Sequence, residues 1–71
     1  MKTKTAVTNK LGHKIKTLRE KKGWTMPQLA QHLDISLATL YRWEGNEWRP
    51  RLHHLPRIAN AFGVTLDELM S

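Results

Sequence analysis

The chain contains no cysteine. A disulfide framework and a thiolate zinc centre are both excluded, as staple or as catalyst, and a reducing compartment suits the protein. Long apolar runs are missing as well: nothing approaches the roughly 18 consecutive apolar residues of a membrane span. Residues 1–10 are basic and threonine-rich, without the apolar stretch of a signal peptide. Acidic residues are scarce, six Asp/Glu against twelve Lys/Arg, which leaves a formal net charge of +6. Size is the last shortage. The 71 residues suit one small domain, which buries only about 60% of the surface its unfolded chain exposes. Little scaffold is left for the concave pocket of an enzyme. No Ser/His/Asp spacing, pocketed carboxylate pair or glycine-rich phosphate loop is present either. No enzyme and no cofactor are expected. What remains is a small, soluble, basic module, expected in the cytoplasm, with no membrane partner. Its charge suggests a polyanion without naming one.

Helical periodicity is what the chain does have. Met1–Thr8 offers little to bury and predicts a flexible basic arm, with the domain proper over 9–71. Leu11, Ile15 and Leu18 recur at helical spacing, so a first helix is predicted over about 9–22, stopped by Gly23. Thr25-Met26-Pro27-Gln28 reads as a capping box with proline in the first turn. It opens a short second helix that buries Leu29, Ala30 and Leu33. Asp34 occupies a sharp turn, and Ser36 caps a third helix over about 37–44 that Gly45-Asn46 stop by tolerating positive φ. Residues 47–51 read as a loop. A fourth helix starts between Leu52 and His54, turns Ile58, Ala59 and Phe62 inward, and ends at Gly63. Thr65 and Glu68 make another capping box, opening a last turn that buries Leu66 and Leu69. Five helices without a strand define a compact all-α domain.

The third helix carries the functional signal. At about 100° per residue, Leu40 and Trp43 face the core while Ala38, Tyr41, Arg42 and Gly45 lie opposite, with Leu37 and Thr39 on the rims. A small residue early on an outward face permits close approach, and an arginine one turn later can donate to what is approached. Two short helices in this relation form a helix-turn-helix, whose second helix fits a DNA major groove.

The run GWTMPQLAQHLDISLATLYRWEGNEWRP, followed by LPRIANAFGVTLDEL, resembles the lambdoid phage repressor and Cro class of helix-turn-helix domain. That class includes the small xenobiotic-response-element-type regulators. The likeness covers about residues 11–70, with anchors that include Leu18-Arg19, Gly23, Leu29-Ala30, Ile35-Ser36, Leu40, Trp43-Glu44, Pro50, Ile58-Ala59 and Gly63-Val64. It implies a five-helix lambda-repressor-like fold and a sequence-specific, double-stranded-DNA-binding transcriptional regulator of bacterial or phage type, with repression the first expectation. It also implies a homodimer on a palindromic operator, weak or induced by DNA. By the same resemblance, Ala30 packs at the crossing of the two motif helices, and Arg19 and Glu44 form a largely buried ion pair. Base-edge contact carries over to Leu37, Ala38, Thr39 and Arg42, with Tyr41 beside them on the same face. The start of the second helix (Thr25, Met26, Gln28) carries over to phosphate, and Asn46, Arg49, Arg51, Lys2 and Lys4 are further phosphate candidates. The sequence departs from the class at Met26 and Leu37, where glutamine is common, and both changes thin the polar reading surface. Asp34 replaces a usual glycine, and Glu44-Gly45-Asn46 replaces Glu-x-Gly.

Plainer readings stand beside these. His53 and His54 lack a third ligand at metal spacing, so phosphate contact or a simple helix start is expected. His13 and His32 read as surface residues. Trp48 either folds over the core edge, anchors a dimer, or lies on the DNA backbone. The arm either embraces the duplex or is a solvated tail. With the chain stopping at Ser71, a dimer is expected to use the domain's own surface near Trp48 and the last two helices. An antitoxin-like or adaptor role is the alternative function: the same fold would bind a protein through Met26, Leu37, Tyr41 and Trp48. Single-stranded RNA binding is a further alternative, disfavoured because such readers present aromatics on a sheet.

Overall fold

The computed structural model describes the backbone of residues 2–70 and the side chains of 11–70. The helices are α1 (Lys2–Lys21), α2 (Met26–Leu33), α3 (Leu37–Glu44), α4 (Leu55–Phe62) and α5 (Leu66–Met70), with a 3-10 turn at Leu52–His54 leading into α4. No strand occurs among the described residues, and no helix there is long and apolar enough to cross a membrane.

Local chemistry sets most of these boundaries. Thr25 Oγ1 accepts the Gln28 N–H at 3.3 Å, and Gln28 Oε1 accepts the Thr25 N–H at 2.8 Å, a complete capping box with Pro27 in the first turn of α2. Thr65 and Glu68 repeat the device before α5 at 2.9 and 3.1 Å. Ser36 caps α3 through the Thr39 N–H at 3.1 Å. Gly23 and Gly63 lie at φ of 74° and 71°, where a Cβ would be strained. Asp34 holds the left-handed conformation at φ 57°, and its N–H reaches the carbonyls of Ala30 and Gln31. The sharp turn between α2 and α3 thus uses a residue type that tolerates αL, not glycine.

Four predicted features are corrected. α1 begins at Lys2, where a start near residue 9 is predicted: neither proline nor glycine interrupts the chain before Gly12, and Thr8 and Asn9 cap a helix only where the chain enters from extended backbone. Leu66 is 44% exposed, because the capping box places it at the entry of α5, and Leu69 alone is driven inward. Gly45 sits at φ −85°, and Asn46, at φ 62°, makes the left-handed step. α4 proper starts at Leu55, after the 3-10 turn, which lets Pro56 occupy the first turn without costing a hydrogen bond.

Leu11 and Ile15 of α1, Leu29, Ala30 and Leu33 of α2, Leu40 and Trp43 of α3, Leu55, Ile58, Ala59 and Phe62 of α4 and Leu69 of α5 form one core. Ile15, Leu29, Leu33, Leu40, Ile58 and Leu69 are fully buried, each contributing about 2 kcal/mol by transfer from water. α3 packs on α1 and α2, while α4 packs on α2 and α5. Gly12 is buried where α1 crosses the end of α3, and a Cβ there would overlap the Trp43 carbonyl and the Asn46 side chain. The third helix is thereby held from behind at backbone distance.

Candidate nucleic-acid interface

Arg19 fixes α3 relative to α1. Its Nε and Nη2 donate to Glu44 Oε2 and Oε1 at 2.9 and 3.2 Å, and Nη1 donates to the Trp24 carbonyl at 2.9 Å. The side chains are 12% and 7% exposed, so this bidentate pair is largely out of water and held in one orientation. Leu40 and Trp43 fill the core from the same side of α3. The opposite side is left open: Leu37, Ala38, Tyr41 and Arg42 are all exposed, and Tyr41 most clearly at 60%. Thr39 is half-buried on the rim, its hydroxyl 2.8 Å from that of Ser36, which pins its rotamer.

The start of α2 offers fewer side-chain donors than its residues suggest. Met26 packs against the core, so it presents only its backbone N–H, and Pro27 has none. Thr25 Oγ1 and Gln28 Oε1 are engaged as acceptors in the capping box, which leaves the Thr25 O–H and the Gln28 amide NH₂ free to donate. These donors sit at the positive end of the α2 dipole, a place that favours an anion.

Beyond α3 the chain turns back along the helix. Thr39, Trp43, Glu47, Trp48, Arg49, Arg51 and His54 line an open groove of about 590 Å³, so the two arginines are brought beside the third helix. Asn46 is exposed at the turn. The side chains of Lys2 and Lys4 lie outside the described residues. The Trp48 indole is 52% exposed and the Arg42 guanidinium stands over it, 4.3 Å from the ring centre.

The histidines divide by environment. His54 packs edge-on to Trp43 at 5.1 Å between ring centres and tilts against His53 at 4.2 Å. Burial first, then the positive neighbours His53, Arg57 and Arg51, hold its pKa below the ordinary 6.5, so it is neutral near pH 7. The 3-10 turn brings the adjacent rings together, which α-helical spacing does not suggest. No group of three or more metal-ligating side chains occurs among the described residues. His32 lies at the surface as the sequence suggests, and there it stacks on Trp24 at 4.2 Å.

Sequence reasoning missed Gly12, the Trp24–His32 stack and the Arg42–Trp48 stack. All three depend on which segments meet, and only the repeated Trp/His content of the chain hinted at ring pairing.

Two short helices joined by a tight turn, the second braced by core and ion pair behind and open in front, define a helix-turn-helix. Residues 15–69 match the helix-turn-helix family, and the chain belongs to it. Over 58 residues it is 38% identical to the HTH-type transcriptional activator BcrR of Enterococcus faecalis, covering 82% of this chain and 28% of that protein. It is 38% identical over 53 residues to the HTH-type transcriptional regulator AnsR of Bacillus subtilis, covering 75% and 46%. The cryptic phage CTXphi transcriptional repressor RstR of Vibrio cholerae is 36% identical over 45 residues, covering 63% and 40%. The chain thus spans less than half the length of these relatives. No solved structure matches it closely enough to count.

Proposed function

We propose that the chain binds double-stranded DNA sequence-specifically as a transcriptional regulator, docking α3 in the major groove and acting by binding alone. The observation that carries this is the open face of α3, with small Ala38 one turn before Arg42 and Leu40 and Trp43 holding the helix from behind. A groove about 12 Å wide admits such a helix, and the planar fork of Arg42 suits guanine O6 and N7. Leu37 offers apolar contact to a thymine methyl, and Ala38, Thr39 and Tyr41 complete the reading face. Thr25, Gln28 and the Met26 N–H would hold one phosphate run, and Asn46, Arg49 and Arg51 another, with Lys2 and Lys4 adding salt-dependent affinity. The helix-turn-helix family and the relatives' names support the reading. Those names include both an activator and a repressor, and repression by occupying the operator is the simplest consequence of binding.

We infer a dimer on a palindromic site, weak or formed on DNA. Leu52, Leu66 and Met70 are exposed apolar residues that a second copy would cover. A cytoplasmic, nucleoid-bound location follows from the same reading.

The test is selection from a randomised duplex pool at two salt concentrations. An enriched palindrome that survives the higher salt is expected, with Arg42→Ala losing about tenfold discrimination at one base pair per half-site. Binding that enriches nothing and vanishes with salt would overturn the reading. A protein partner met through Leu37, Tyr41 and Trp48 would then become the leading function.

A further inference from the structure

Trp48 has no place in the core. Trp43 is the indole buried there, whereas Trp48 lies outside the core cluster with 52% of its surface exposed. An exposed indole in a loop costs solubility unless it holds something, and what it holds here is Arg42. The guanidinium carbon stands 4.3 Å from the ring centre, well within cation–π range. The backbone fixes the same neighbours independently. The Arg42 carbonyl accepts the N–H of Glu47 at 2.9 Å and that of Trp48 at 3.2 Å. Asn46, at φ 62°, provides the left-handed step that lets the chain double back to make both bonds. Trp48 also lines the same groove as Thr39, which sets it alongside the body of α3. No carboxylate among the described residues forms an ion pair with Arg42, so the indole is its side-chain partner.

We propose that Trp48 is a positioning residue for base reading: its ring holds the Arg42 guanidinium in a preset orientation beside α3. A ring can take a guanidinium by its face and leave the in-plane N–H donors free, and those donors match the two acceptors on a guanine edge. A carboxylate partner would instead consume them. An unrestrained arginine has many rotamers to lose on docking, and a stacked one has already lost most of them, so the preset favours the matched base over competitors. The proposal rests on the reading that α3 enters the major groove with Arg42 at a base edge.

The test measures affinity for the selected operator and for duplexes changed at each position in turn. The proteins are the natural chain, Trp48→Ala, Trp48→Leu, Trp48→Phe, Arg42→Ala and the Trp48→Ala/Arg42→Ala double variant. Trp48→Ala and Trp48→Leu are expected to lower discrimination about threefold at the base pair that Arg42→Ala affects, and nowhere else. Trp48→Phe should retain most of it, since phenylalanine keeps an aromatic face while leucine keeps only the bulk. The double variant should discriminate no worse than Arg42→Ala alone, because the ring acts through the arginine. A Trp48→Ala protein with unchanged discrimination overturns the proposal. So does one that loses affinity equally for every sequence, which is the mark of a backbone contact, or one whose effect adds to that of Arg42→Ala. If Arg42→Ala itself leaves base preference intact, the major-groove reading falls first and the positioning role with it.

Discussion

Glu44 accepts two hydrogen bonds from a guanidinium that also donates to the Trp24 carbonyl, so at this residue charge, geometry and burial are coupled. With 7% of the Glu44 side chain exposed, solvent does little to screen the pair. Removing one charge strands the other, at a cost of about 3 kcal/mol. Domain stability is only ~0.05–0.15 kcal/mol per residue, so that loss takes a large share of the total in a chain this small. Glu44→Gln is therefore expected to lower the melting temperature by more than about 10 °C in a circular-dichroism melt. A change of about 1–2 °C would mean that water already solvates the pair. The ion pair was legible only through the family resemblance, because Arg19 and Glu44 lie 25 positions apart and bare sequence gives two charges with no reason to meet.

Individual helices show how far local chemistry reaches. Thr25 with Gln28, Thr65 with Glu68, and Ser36 mark their helix starts within four residues, and each was legible because donor and acceptor are chain neighbours. The start of α1 was not, since Thr8 and Asn9 are capping types that stand inside a helix. Gly12 was overlooked for the opposite reason: its role is set by the end of α3, not by its own helix. In an isolated helix Gly12→Ala would gain about 1 kcal/mol from propensity. Here the new methyl meets the Trp43 carbonyl and the Asn46 side chain, and overpacking at a backbone contact costs about 1–3 kcal/mol. Net destabilisation is expected, read as a lower urea midpoint with unchanged slope. A rise in the midpoint would show that α1 and α3 can separate without cost.

Stability of the whole molecule is tied to pH through His54. Its pKa is lowered in the fold from the ordinary 6.5, by desolvation first and by His53, Arg57 and Arg51 next. The unfolded chain therefore takes up the proton before the folded one does. This contribution is intact above pH 6.5 and is lost as the pH falls from 6.5 towards the lower folded value. Melting temperature should fall between about pH 7.5 and 5.5, and His54→Gln should show a smaller fall over the same range. Equal pH dependence in both proteins would place the linkage elsewhere. At this scale the fold class and the outward face of α3 were readable from periodicity, as Leu40 and Trp43 against Ala38 and Arg42 show. The course of residues 46–51 was not, because one left-handed asparagine and a pair of N–H groups sharing the Arg42 carbonyl decide it. That turn has a consequence for retargeting. Since the return segment after α3 engages both the carbonyl and the side chain of Arg42, the third helix is not a portable cartridge. The smallest transplantable reading unit runs from Ser36 to Trp48, helix and return turn together.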